Sequence, residues 1–292
     1  MKAEDKVKKL YELFSPCYLC PLNCGVKRKE GEIGLCGAGD RLKISSYTIY
    51  KGEEPPLIGN VGAGAIFFSY CNLKCVYCQN YNFSQLFSGR EISIGDLVNI
   101  MLELQNKGAA NINLITATHF FPQIAEALSI AKSKGLILPI VYNTSGYESV
   151  KVLQLLHGFI DIYLTDFRYG TNASGKRYSK VPNYVEIAKA AVKEMYNQVG
   201  NLVVNGNGIA KKGLVVRHLL FPNGIEELRA VVDFVASSLS KDVYFSLMSQ
   251  YVPVYQAKEY PEINRKITRE EFLLATRVVR EAGITNGWIQ YG

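Results

Sequence analysis

The chain has 292 residues, of which 48% are hydrophobic and 20% charged, and it carries 19 Tyr and 13 Phe. That excludes a disordered polypeptide and suffices to bury the core of one barrel-sized α/β domain plus a small appendage, or of two ordinary domains. Its 33 basic and 26 acidic residues leave a formal charge of +7, but the basic residues are scattered, with short clusters at Lys27-Arg28-Lys29 and Lys211-Lys212. Such clusters read as solvated surface, so a nucleic-acid partner is not indicated. No apolar run reaches the roughly 18 residues of a membrane span. The charged start, Met-Lys-Ala-Glu-Asp, lacks the apolar stretch of a signal peptide. The expected location is therefore the cytoplasm, where thiols stay reduced.

Residues 1 to about 14 read as a short amphipathic helix, with Val7, Leu10, Leu13 and Phe14 on one side. From Cys17 to Gly39 the chain is rich in Cys and Gly and has neither helical nor strand periodicity, as expected of loops wrapped around a metal. Cys17-x2-Cys20-x3-Cys24-x11-Cys36 supplies four thiolates within 20 residues. Four cysteines close a tetrahedral site, either for zinc or for a second [4Fe–4S] cluster, and the spacing does not separate the two. Zinc would make this a structural knuckle, whereas a closed cluster could relay electrons. Residues 40–60 contain short extended pieces broken at Glu53-Glu54-Pro55-Pro56. We assign residues 1–45 to a Cys-rich metal-binding segment and 46–292 to the main domain.

From there, short apolar β-branched runs alternate with segments of helical period. Strands are expected at 63–69, 111–115, 138–142, 160–164, 213–219 and 243–247. Helices are expected at 93–107, 122–134, 147–157, 183–198, 225–239 and 268–282. Near-continuous apolar strands separated by helices imply right-handed βαβ crossovers and a buried parallel sheet. The fold class is thus α/β, a partial (β/α)6 barrel with a small Cys-rich N-terminal segment, and chemistry is expected at the C-terminal ends of the strands. Residues 167–182 and 248–267 read as long loops on that face.

The first strand runs into Cys71-Asn-Leu-Lys-Cys75-Val-Tyr-Cys78, a C-x3-C-x2-C motif. Three thiolates on one loop can each hold a different iron of a cubane cluster, leaving the fourth iron without a protein ligand. An open iron can chelate the amino and carboxylate groups of S-adenosylmethionine (SAM) and pass an electron to its sulfonium, giving methionine and a 5′-deoxyadenosyl radical. Zinc would want a fourth ligand, and no further Cys or His lies nearby in sequence. A thioredoxin-like C-x-x-C would leave Cys71 unexplained.

This loop resembles the signature of the radical SAM superfamily. Within it, the chain is similar to the pyruvate formate-lyase-activating-enzyme group and a related activating-enzyme-like branch. The stretches that carry this are Cys17-Tyr-Leu-Cys20-Pro-Leu-Asn-Cys24, Gly52-Glu-Glu-Pro55, Cys78-Gln-Asn-Tyr81, Asn143-Thr-Ser-Gly146, Asp161-Ile-Tyr-Leu-Thr-Asp166, Arg217-His-Leu and Ser249-Gln250. The resemblance implies a [4Fe–4S] cluster on Cys71, Cys75 and Cys78, SAM, and an external one-electron reductant of flavodoxin or ferredoxin type. It also implies that Tyr77 packs near the adenine. Where relatives carry Gly-Gly-Glu for the SAM amino group, this chain has Thr116-Ala117-Thr118-His119. The carbonyls of Thr116 and Ala117 and the side chains of Thr118 or His119 are the candidates there. Asn143, Thr144 and Ser145 resemble a segment that touches SAM and a monovalent cation, although Asn143 stands where the group has Asp. Asp166 matches an Asp near the same cation.

Arg217, inside an otherwise apolar strand, can clamp a carboxylate bidentately, with methionine's the natural candidate. We therefore read Asp166 and Arg217 as the catalytic pair. Asp166 is alternatively paired with Arg168 or Arg217, because unpaired carboxylates are seldom buried. Gln250 corresponds to the last SAM-contacting strand end, and His218, on the opposite face of its strand, is read as structural.

The reading is a radical SAM enzyme that takes a hydrogen atom from a substrate, either a glycyl-radical protein's backbone or a small molecule. The rival from a different class is a metal-stabilised module that binds nucleic acid or protein.

Overall fold

The structure, a computed structural model, describes residues 1–290. Ten strands lie in chain order: β1 (Lys43–Tyr50), β2 (Ala63–Phe68), β3 (Arg90–Glu91), β4 (Ile112–Ile115), β5 (Ile140–Thr144), β6 (Ile162–Asp166), β7 (Val203–Val204), β8 (Ala210–Leu219), β9 (Tyr244–Met248) and β10 (Gly287–Gln290). The helices are α1 (Ala3–Glu12), α2 (Pro55–Ile58), α3 (Tyr81–Ser84), α4 (Ile94–Asn106), α5 (Phe121–Ser133), α6 (Val150–Leu156), α7 (Asn172–Ser179), α8 (Tyr184–Val199), α9 (Ile225–Ser238) and α10 (Arg269–Glu281). Each of the six expected strands and helices is present, shifted by at most a few residues.

The strands run in the order β10-β9-β8-β6-β5-β4-β2-β1-β3, with β7 on the side of β8. Along that order every pairing from β10 to β2 is parallel, while β1 pairs antiparallel with β2 and with β3, and β7 antiparallel with β8. This is the expected partial barrel, extended by one parallel strand and by an antiparallel flank. Local chemistry sets the helix starts. Ser93 and Asp96 form a reciprocal cap at the head of α4, as do Thr268 and Glu271 on α10, each satisfying two otherwise unpaired N–H groups.

Strand alternation divides the core in two. Outward residues such as Phe68, Leu114, Tyr142, Tyr163, Val216 and Phe245 pack against the helices. The inward residues Val141, Ile162, Leu164 and Val215 form a separate apolar cluster with Leu57 of α2, Leu202 and Ala210. Because side chains alternate with a period of two, Asn143, Asp166 and Arg217 continue those inward rows toward the strands' C-terminal ends. The barrel interior is thus apolar at one level and polar at the next, where the strands end.

The N-terminal segment has no core of its own. Leu10, Phe14, Leu19, Ala38 and Leu42 belong to the same buried cluster as Phe68 and Phe120 of the barrel. Among the described residues, no helix is long and apolar enough to cross a membrane.

Candidate cluster and cofactor site at the strand ends

β2 ends at Phe68, and Tyr70 turns the chain at a φ of 74° into the loop that carries Cys71, Cys75 and Cys78. Neighbours hold this loop by its backbone. Tyr70 N–H donates to Phe83 O at 2.8 Å, Val76 N–H to Tyr178 O at 2.9 Å, and Gln256 N–H to Val76 O at 2.9 Å. Each thiol has a polar neighbour. Cys71 Sγ accepts from Leu73 N–H at 3.4 Å, Cys75 Sγ lies 2.9 Å from Ser179 Oγ, and Cys78 Sγ lies 3.2 Å from Ser84 Oγ. Burial, reinforced by Cys75, pushes the Cys71 thiol up to about 12, so a bare thiolate is disfavoured there until a metal replaces the proton.

Among the described residues, no three His, Cys, Asp or Glu side chains converge on a single ion. Four thiolates on zinc, with bonds of about 2.3 Å, must sit roughly 3.8 Å apart, whereas cubane thiolates bind separate irons and stand farther apart. Three thiols on one buried loop, two of them facing a cavity, are a donor set that fits an open iron–sulfur cluster.

That cavity, of about 250 Å³, opens at the strand ends and is lined on one side by Cys71, Asn72, Tyr77 and Cys78. Across from them stand Thr116, Thr118, Asn143, Thr144, Ser145, Asp166 and Arg217. The floor is a charged network centred on Arg217. Its Nε donates to Asp166 Oδ1 at 2.7 Å, Nη1 to Glu53 Oε2 at 3.0 Å, and Nη2 to Asn143 Oδ1 at 2.8 Å. Glu54 lies 3.7 Å from the same guanidinium, and Arg168 Nη2 donates to the other oxygen of Asp166 at 2.8 Å. Glu53 Oε1 accepts from Asn113 Nδ2 at 3.0 Å and Asn143 Nδ2 at 3.2 Å. Burial raises the Glu53 carboxyl, opposed by Arg217 and reinforced by Glu54.

A sequence profile of the Radical SAM superfamily matches residues 65–235, which include the three-cysteine loop, β4 to β8 and most of α9. The chain belongs to the radical SAM superfamily. Membership makes it an iron–sulfur enzyme of SAM-cleaving radical chemistry. The uncharacterized protein MJ0674 of Methanocaldococcus jannaschii is 34% identical over 280 residues, covering 91% of this chain and 75% of its own. A second uncharacterized protein of that organism, MJ0808, is 22% identical over 287 residues, covering 88% of this chain and 78% of its own.

Among the solved structures that share the fold, two serve as comparisons. Streptococcus suis SuiB bound to precursor peptide SuiA superposes with a TM-score of 0.50 at 16% identity over 72% of this chain. The FeFe-hydrogenase maturase HydG from Carboxydothermus hydrogenoformans does so with a TM-score of 0.50 at 12% identity over 73%. The chain spans 43% and 49% of the lengths of those two proteins.

As a radical SAM protein the chain brings most of the residues singled out from its sequence to one cavity, but His119 and Ala117 do not line it, and Arg217 and Asp166 line it already paired. The His119 ring is buried, its Nε2 is 2.6 Å from Ser69 O, and it stacks edge-on against Phe120. Burial, with Arg28 adding, lowers its pKa to about 3, so it is a neutral core histidine beside Ala117, which is also fully buried. Arg217 is not a free clamp, because its donors are taken by Asp166, Glu53 and Asn143. Asp166 in turn pairs with both Arg168 and Arg217, and its two oxygens face guanidinium groups where a monovalent cation was expected.

Tyr77 lines the cavity with its ring stacked 6.2 Å from Phe221, while its hydroxyl donates to Tyr169 at 2.7 Å. Gln250 sits at the rim, where its carbonyl accepts from Gln79 Nε2 at 3.2 Å. His218 is buried with Nδ1 2.8 Å from Phe167 O, as expected of a structural residue. Glu53 is the residue the motif reading misses. The signal for it is an adjacent pair of carboxylates just before Pro55-Pro56, where burial of either one demands a cation.

Proposed function

We propose that Cys71, Cys75 and Cys78 hold the [4Fe–4S] cluster and that SAM binds in the adjoining cavity, against Tyr77, Thr116, Thr118, Asn143, Thr144, Ser145 and Gln250. The observation that carries this is the shared cavity: Cys71 and Cys78 face the same space as the polar strand ends. When bound, the cluster and SAM supply reductive cleavage to methionine and a 5′-deoxyadenosyl radical that takes a hydrogen atom from the substrate.

The chain's own residues bind, orient and exclude water. Thr116, at a φ of 60°, turns its peptide at the end of β4, where carbonyl oxygens can receive an ammonium. Thr118 and Thr144 are fixed by Glu148, whose Oε1 accepts from their hydroxyls at 2.9 and 2.5 Å. Asp166 and Arg217 act together as a neutralised pair that shapes the cavity floor. Because two guanidiniums already serve Asp166, this reading includes no monovalent cation.

The finer reading follows the likeness to the activating-enzyme group: the hydrogen comes from a backbone glycine of a partner protein, and a flavodoxin- or ferredoxin-type donor supplies the electron. A small polar substrate is the second reading. It is favoured by the Glu53–Arg217–Asp166 network, which offers paired charges to polar groups at the base of the cavity. Anaerobic protein incubated with SAM and dithionite is expected to release 5′-deoxyadenosine, and Cys75→Ala to abolish it. A wild-type protein with a full complement of iron that releases none would end this reading.

A further inference from the structure

The four N-terminal cysteines lie apart from the cavity, and the sequence leaves them between zinc and iron. Cys17, Cys20 and Cys36 are buried and Cys24 is partly so, all as free thiols. Arg28 lies among them with 1% of its surface exposed. Its Nη2 is 3.5 Å from Cys36 Sγ, its Nη1 donates to His119 O at 2.7 Å, and its Nε is buried without a partner. Among the described residues no carboxylate forms an ion pair with it. A buried guanidinium needs an anion, and the sulfurs around it are the groups that can become one. Arg28 also lies over the Phe14 ring at 5.1 Å and reaches Gly39 O at 3.5 Å, but neither is an anion, and metal-bound thiolates beside its Nη2 would match its charge.

The choice of metal follows from what surrounds the site. A zinc knuckle staples a segment too small for its own core. This segment needs no staple, since Leu10, Phe14, Leu19, Ala38 and Leu42 already lie in the barrel's main core. The segment is instead seated on the three-cysteine loop. Lys74, between Cys71 and Cys75, reaches Cys36 O with its Nζ at 3.5 Å, and the same ammonium lies 5.1 Å from the Phe87 ring. Gly37, at a φ of 96°, lets that ring in, because a Cβ there would fall 2.6 Å from Phe87 Cζ.

We propose that Cys17, Cys20, Cys24 and Cys36 hold a second, closed [4Fe–4S] cluster, with Arg28 as its buried counter-charge and the SAM-site loop as its immediate neighbour. This site is independent of what the first cluster does to SAM.

The test uses the full chain, reconstituted anaerobically. Wild type is expected to carry about eight irons, and the triple variant Cys71→Ala/Cys75→Ala/Cys78→Ala about four, still brown and paramagnetic after dithionite reduction. One zinc per triple-variant chain, or no metal, overturns the proposal. In wild type, which requires no variant to fold, SAM should perturb the electron paramagnetic resonance of about half of the reduced spins. A response from all of them overturns it too. Arg28→Gln should lower the midpoint potential of the SAM-insensitive cluster, since a nearby cation favours the more negative reduced form, and Arg28→Lys should restore it. An unchanged potential removes Arg28 from that role. Release of 5′-deoxyadenosine is a separate readout, so its failure leaves these iron counts standing.

Discussion

Arg217 and Asp166 are register partners on the parallel strands β8 and β6, joined by a 2.7 Å hydrogen bond from Nε to Oδ1. The same guanidinium also meets Glu53 at 3.0 Å and Glu54 at 3.7 Å, so three carboxylates share it. Among the described residues, only Asp166 has a second cation, Arg168. Replacing Arg217 with Met leaves Glu53 and Glu54 without a cation, and breaking buried pairs in this way costs about 3–5 kcal/mol. Arg217→Lys keeps the charge but cannot reach Asp166, Glu53 and Asn143 at once, so it should fall between. Urea unfolding at neutral pH measures both. A loss below about 1 kcal/mol in Arg217→Met would show the network to be dispensable.

Glu148 gives a pH signature. Burial raises its carboxyl to about 7, against hydrogen bonds from Thr144, Tyr142 and Thr118 that pull it down. A carboxyl raised in the folded state favours its protonated form there. Its contribution to stability is therefore greatest at low pH and declines as pH rises from about 4.5, the unfolded value, to about 7. The full span is about 3 kcal/mol, at 1.36 kcal/mol per pKa unit. Glu148→Gln retains an acceptor for the threonines and carries no charge. It should be more stable than wild type at pH 8, with the gain shrinking to nothing near pH 4.5. Unfolding midpoints of both proteins across that range provide the check. A gain that does not change with pH would contradict the assignment.

The parallel strands are legible because both of their faces are buried. Ala63–Phe68 and Ile140–Tyr142 therefore read as unbroken apolar runs, and each following helix carries an apolar stripe. β1 is harder to read because alternate residues from Ser45 to Tyr50 are exposed at the sheet's flank, and β10 because it is a short edge with the same alternation. Asn172–Ser179 is mostly polar and reads as loop. Thr171, which caps it by accepting from Ser174 N–H, and the burial of Tyr178 make it α7. The three-cysteine loop is legible because cluster chemistry demands a fixed short spacing. Glu53 is not, since its partner Arg217 lies 164 residues away and only the barrel's closure joins them. His119 misleads for a related reason. A strand-end histidine looks available until Phe120 and Ser69 close over it.

Thr116 should be strained. Its φ of 60° lies in the left-handed region, which a β-branched residue adopts at a cost of about 1–3 kcal/mol. Glycine adopts it freely but loses about 0.5–1 kcal/mol of unfolded-state entropy. Thr116→Gly should thus stabilise the fold by about 1 kcal/mol. Thermal unfolding reads this as a higher midpoint, and a lower one would mean that the threonine side chain contributes more than its backbone costs.

A chain of hydrogen bonds ends on a cluster-loop sulfur. Tyr77 OH donates to Tyr169 OH at 2.7 Å, Tyr169 OH lies 2.7 Å from Ser179 Oγ, and Ser179 Oγ lies 2.9 Å from Cys75 Sγ. Once Cys75 is a metal-bound thiolate, Ser179 becomes the donor and Tyr169 can donate to Ser179 in turn, so the chain polarises toward the sulfur. A donor on a ligating sulfur stabilises the more negative, reduced cluster and raises its potential. Ser179→Ala removes that donor and should lower the potential. The shift should be on the order of tens of millivolts, because a hydrogen bond to a charged acceptor is worth about 1.5–3 kcal/mol and only the difference between oxidation states counts. Tyr77→Phe leaves Ser179 in place and should shift it less, in the same direction. Potentiometric titration of the SAM-responsive signal measures both variants. An equal or larger shift in Tyr77→Phe would mean that the tyrosine acts on the cluster by some route other than Ser179.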